Sequence, residues 1–223
     1  MPFLNAFVPT QPVKLPLEAR MFGMFVGFMM TWLYVIARGR GRATLMPKPW
    51  ILFMFVAFIV VMGFDGVNAT LYDVNHLGAM VPYLYEPRND LRALTGFLSG
   101  IGMAGLAVPV MNYMLWREPK AEPLLAHGWD FFALLIIQFV LMGMETSGSG
   151  LFLYPLAVLG MLGTIATLNC LNSVIGLSFF PKLRAGRWRE TLNAFVVATL
   201  ITALQLGLLS ALRYAILGTA TLP

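Results

Sequence analysis

Six long apolar runs, broken by short polar links, make up most of the chain: near residues 20–38, 48–67, 92–116, 128–146, 150–179 and 192–214. About 20 mostly apolar residues cross the hydrocarbon of a bilayer as one helix. The pattern therefore predicts an all-α, polytopic bundle of six transmembrane helices, because only helices and closed barrels satisfy their backbone groups in lipid. The fifth run is the longest, and Pro155 near its start predicts a tilt, a kink or a short interfacial turn ahead of the helix. The longest link, 68–91, carries Tyr72, Tyr83 and Tyr85, whose amphipathic rings suit the headgroup region. Residues 1–19 read as an N-terminal segment and 20–223 as one transmembrane domain. Pro2, Pro9, Pro12 and Pro16 interrupt any leader-like apolar core, and Phe3 to Val8 reads as a short amphipathic piece at the interface.

Composition rules out a soluble reading. Of the 223 residues 59% are hydrophobic and 11% charged, against about 25% charged in an ordinary globular domain. The net charge of +5 raises nucleic acid as a partner. The cations sit at helix ends rather than on one face, so they signal topology instead. Arg38, Arg40, Arg42, Lys48, Arg117, Lys120, Lys182, Arg184, Arg187 and Arg189 lie on one side, and Lys14, Arg20, Arg88, Arg92 and Arg213 on the other. The ten-residue side is expected to be cytoplasmic, which puts both termini on the non-cytoplasmic side. The expected partners are the lipid bilayer and other membrane subunits, with no nucleic acid.

Candidate chemistry concentrates at the outer end of the second and third helices. Trp50 to Phe64 supplies about 22 Å of apolar helix, short of the roughly 30 Å core. The helix should therefore continue past Asp65 and leave that carboxylate at or inside the membrane boundary. An ionisable group there is costly unless paired, and is a functional hypothesis by default. Arg92 is the nearest expected partner, with Asn89 a turn before it and Thr95 a turn after. The cluster is an ion pair stapling two helix ends, a ligand or proton site, or a simple interfacial anchor.

Gly23 and Gly27 in the first helix, and Gly96 and Gly100 in the third, have the small-xxx-small spacing that lets helix backbones approach; Gly102 and Gly105 extend the small surface. Asn169, Asn172 and Ser173 in the fifth helix form one polar row, and Thr199, Thr202 and Gln205 in the sixth form another. These rows serve either hydrogen bonding between helices or a polar cavity. Glu145, followed by Thr146 to Gly150, reads as a solvated turn. His76 and His127 fall at helix edges, and Cys170 is the single cysteine, so no metal site and no cofactor is expected.

Three segments carry a family resemblance: Leu15 to Gly23, Phe64-Asp65-Gly66, and Pro87 to Gly100. Together they resemble a bacterial membrane-protein family known as domain of unknown function 2085, over about residues 12–116. The matched positions are Arg20, Gly23, Asp65, Gly66, Asn89, Arg92, Thr95, Gly96 and Gly100. Glu18 and Met21 stand where the family's motif has two cysteines, so the chain resembles a degenerate member, and any metal or redox role of those cysteines is closed to it. The resemblance implies a multi-pass protein of the bacterial cytoplasmic (inner) membrane and carries over no activity. The expected function is a non-catalytic accessory or scaffold subunit of a larger membrane assembly. The alternative is a small transporter or lipid-modifying membrane protein with a polar cavity near Asp65 and Arg92.

Overall fold

The computed structural model describes residues 3–5, 12–14, 17–78 and 80–217. A short antiparallel pair, β1 (Phe3–Asn5) and β2 (Pro12–Lys14), precedes the helices. The first residues of the proposed amphipathic piece are therefore strand, and residues 6–8 lie outside the described residues. Six helices follow: α1 (Ala19–Ala37), α2 (Pro49–His76), α3 (Asn89–Leu115), α4 (Gly128–Thr146), α5 (Leu153–Phe179) and α6 (Thr191–Leu217). All six are long and apolar enough to cross a membrane, and the protein is an all-α multi-pass membrane protein. α2 continues nine residues beyond the apolar run, to His76. Pro155 falls in the first turn of α5, where a missing N–H breaks no helical bond, after a 3-10 turn at Gly150–Phe152.

Lipid tails are as apolar as leucine, so helices in a bilayer associate through close packing rather than hydrophobic expulsion. The glycines supply that packing. A Cβ added at Gly23 would lie 2.8 Å from the carbonyl oxygen of Ala93 and from the amide nitrogen of Phe97. One at Gly27 would lie 2.7 Å from the Phe97 carbonyl oxygen, and one at Gly100 would lie 2.5 Å from that of Met24. α1 and α3 thus touch backbone to backbone through both glycine pairs. Gly102 and Gly105 turn to a different neighbour, Phe55 of α2. Gly163 of α5 sits against the backbone of Phe25 on α1 in the same way, a contact with no counterpart in the sequence reading. Around this centre Phe22 and Phe97 meet edge to face at 6.0 Å. α6 rests mainly on α5.

The arginine-rich links interlock. α1 ends in Gly39 at φ +75°, with its N–H bonded to Ile36 O and that of Arg40 to Val35 O, a left-handed cap that turns the chain back. β3 (Ala43–Leu45) then runs parallel to β4 (Lys120–Pro123), and the Trp116 segment pairs with Ala185. All three links on this side are therefore hydrogen-bonded to one another.

Candidate functional site

Asp65 is buried, 2% exposed, and its carboxylate is fully engaged. Arg20 donates to Oδ2 from Nε at 3.1 Å and from Nη2 at 2.7 Å. The Tyr85 hydroxyl donates to Oδ1 at 2.6 Å, and the Thr95 hydroxyl stands 3.3 Å from Oδ2. The cluster therefore joins α1, α2, α3 and the link between α2 and α3. Burial, together with the hydrogen bond to the carboxylate and its charge, pushes the Tyr85 phenol up to about 12.

This corrects the expected pairing: the partner of Asp65 is Arg20, not Arg92. The reason is the glycine contact. Gly96 lies directly against the Arg20 backbone. That crossing brings the first turn of α1 beside Thr95 and, across α3, to Asp65. Arg92 stands near enough to Tyr85 for its charge to act on the phenol, and its Nε is buried without a partner among the described residues. Asn89, the first residue of α3, is exposed and outside the cluster. Gly66, beside Asp65, faces the Arg20 guanidinium: a Cβ there would lie 3.5 Å from Nη1.

Two partners escaped the sequence reading. Tyr85, expected as an interfacial ring, is also a ligand of Asp65. Asn68 holds it in place: its Nδ2 donates to Tyr85 O at 2.9 Å and its Oδ1 accepts from Leu84 N at 2.8 Å. The available signal was spacing, since Asn68 is three residues after Asp65 and so shares its helix face. The cavity beside the cluster, about 360 Å³, is lined by Gly63, Phe64, Val67, Asn68, Leu71 and Leu84, and Asp65 is not part of it.

A second buried aspartate closes the arginine-rich end. Asp130 accepts from the Tyr34 hydroxyl at 2.9 Å and from Arg40 at 3.1 Å, with Arg38 Nε at 3.3 Å and the His127 backbone N–H at 3.1 Å. The last of these makes Asp130 part of the cap that starts α4. Nearby, the Arg42 guanidinium lies 4.0 Å above the Trp116 ring, which meets Trp188 at 4.8 Å.

The polar rows of α5 and α6 face each other. Asn172 Nδ2 donates to Thr202 Oγ1 at 2.8 Å and to Gln205 Oε1 at 3.1 Å. Thr202 donates to Asn169 Oδ1 at 2.9 Å, and Asn169 Nδ2 donates to Thr199 Oγ1 at 2.9 Å. Ser173 donates back to Asn169 O within α5. Glu145 departs from its solvated reading: it is buried, and neither carboxylate oxygen has a hydrogen-bond partner among the described residues. Its position on α4 is seven residues after Gln138 and four after Leu141, which places it on the helix's interior face. No group of three or more His, Cys, Asp or Glu side chains converges as a metal site among the described residues.

No curated protein and no solved structure matches the chain. Residues 9–106, which contain Arg20, Asp65, Thr95 and both glycine pairs of the α1–α3 contact, match the model of the family described as "Predicted membrane protein (DUF2085)", the family that the sequence resembles.

Proposed function

We propose that the protein is a non-catalytic accessory or scaffold subunit of a larger membrane assembly. The observation that carries this reading is the saturation of Asp65. Each carboxylate oxygen is committed to a donor of the chain itself, which is how a structural staple is built. The asparagine and threonine groups of α5 and α6 are likewise spent on one another. The cavity next to the cluster is walled mainly by apolar side chains and offers a polar solute little to bind.

Native mass spectrometry of the protein purified from its own membrane in a mild detergent tests the reading. A hetero-complex of fixed stoichiometry is the expected outcome, and a lone monomer or homo-oligomer overturns it. The staple itself is tested by a double-mutant cycle on Arg20→Ala and Asp65→Ala. Each single change strands a buried charge, so the double variant is expected to melt above at least one single variant.

One observation favours a second reading, a small transporter or lipid-modifying protein. The buried Glu145 carboxyl, with no partner among the described residues, is the kind of group such a site uses. Loss of the cellular phenotype in Glu145→Gln at unchanged thermal stability would replace the accessory reading with this one.

A further inference from the structure

A cavity of about 520 Å³ lies between α1, α3, α5 and α6, towards the arginine-rich end. Its inner wall includes Met29, Trp32, Met111 and Phe195, and its end is formed by Gly41, Trp116 and Trp188. The volume is within the roughly 300–1,000 Å³ of ligand sites. Its lining is almost entirely apolar, so water would find few partners there. Leu33, Ile36, Leu162 and Ile165 also line it, and these are 50%, 38%, 50% and 45% exposed on the apolar outer surface of the bundle. The cavity thus opens sideways, where a spanning bundle meets lipid.

The links that close the end of the cavity carry arginines next to its lining residues. Gly41 lies between Arg40 and Arg42, and Trp188 between Arg187 and Arg189. Arg40 is committed to Asp130, and Arg42 to Trp116 and the Gly186 carbonyl. Arg187 and Arg189 are exposed and form no ion pair among the described residues. Glu190 is the carboxylate beside them, and it is engaged by the Gly186 N–H and faces Arg117 at 4.0 Å. An apolar slot open to the bilayer, closed by links that carry exposed arginines, matches the shape and charge of an anionic lipid.

We propose that this cavity is a binding site for an anionic diacyl phospholipid. One acyl chain lies in the slot and the other stays in the bilayer beside Leu33 and Leu162. The phosphate meets Arg187 and Arg189, with the Trp116 and Trp188 rings at the junction of head and chain. The site stands apart from the Asp65 cluster and does not depend on the accessory reading.

The test uses the full chain in mild detergent, incubated with equal amounts of phosphatidylglycerol, phosphatidylcholine and a prenyl phosphate, with retained lipid read by native mass spectrometry. The wild type is expected to keep one phosphatidylglycerol in preference to phosphatidylcholine. Replacing both Arg187 and Arg189 with Gln is expected to cut that preference by about tenfold or more. Ala166→Phe, which fills the slot, is expected to abolish retention of either phospholipid. Leu162→Trp, on the exposed side of the same slot, repeats the test should Ala166→Phe fail to fold. Phe53→Trp, on the exposed face of α2, is expected to leave retention unchanged. Equal retention of the two phospholipids overturns the proposal, as does retention indifferent to both slot-filling changes, or the prenyl phosphate held in place of phosphatidylglycerol.

Discussion

The two ends of the bundle solve one problem with the same groups on different supports. At the end where α1 begins Asp65 is held by Arg20 and Tyr85; at the arginine-rich end Asp130 is held by Arg40, Arg38 and Tyr34. In both, α1 or the link that follows it supplies the guanidinium, so α1 is pinned at its two ends. The supports differ. Arg20 is a helical residue clamped by the backbone contact at Gly96, and its side chain is 18% exposed. Of the two arginines on Asp130, Arg40 is as covered as Arg20, at 18% exposed, but stands on a link, whereas Arg38 is 53% exposed and free to turn to water when its partner goes. A buried ion pair is dangerous to break in proportion to how completely the surviving charge is trapped.

The largest expected effect comes from the support itself. Gly100→Leu would force a side chain into the backbone of Met24 and Phe28, and is expected to abolish recovery of folded protein in detergent, or to lower its melting temperature by more than any polar change. A variant that melts like the wild type would mean that α1 and α3 do not need this contact, and the Asp65 clamp would lose its explanation.

Asp65→Ala comes next. It leaves Arg20 trapped, at an expected cost of about 3–5 kcal/mol. Asp130→Ala is expected to cost less, about 2–3 kcal/mol, because Arg38 can reach water and Arg40, although as covered as Arg20, sits on a link rather than in a helix clamped by glycine contacts. Melting of the two variants side by side checks the comparison, and equal losses would mean that the support beneath the arginines does not govern it.

A smaller effect tests the Asp65 clamp by pH. Tyr85 has its phenol raised from near 10 to about 12. The folded state therefore holds this proton more tightly than the unfolded chain. The stabilisation is complete below pH 10 and is lost as pH rises from 10 to 12. Wild-type stability minus that of Tyr85→Phe should shrink across this window. A difference that stays constant would remove the phenol from the clamp.

The mildest test is topological. A cysteine placed within 183–189 is expected to resist an impermeant thiol reagent applied to intact cells, since ten of the fifteen Lys and Arg share that side. Ready labelling would exchange the two ends.

The apolar runs are enough to place the helices within a few residues, except where α2 runs on to His76 through polar residues. That extension depends on Asn68 and Asn75, whose amides bind the returning link at Leu84, Tyr85 and Val81. The importance of Asp65 was legible for a similar reason, since a charge at the edge of an apolar run is expensive wherever the chain goes. Its partner was not. Arg20 and Asp65 are 45 residues apart, and the nearer Arg92 was the better guess from sequence alone.

What the sequence determined by itself is therefore local: spans, links, the residues too costly to leave unpaired and the glycines small enough to permit contact. These follow from the free energy of each segment against lipid or water, which neighbours along the chain largely set. The tertiary structure alone decided which charge meets which, that Gly102 and Gly105 serve α2 while Gly96 and Gly100 serve α1, and that Glu145 is buried rather than solvated. Those outcomes depend on how far each helix is rotated and how closely it crosses its neighbours. Rotation and approach are set by packing among all the helices together, which no single segment encodes.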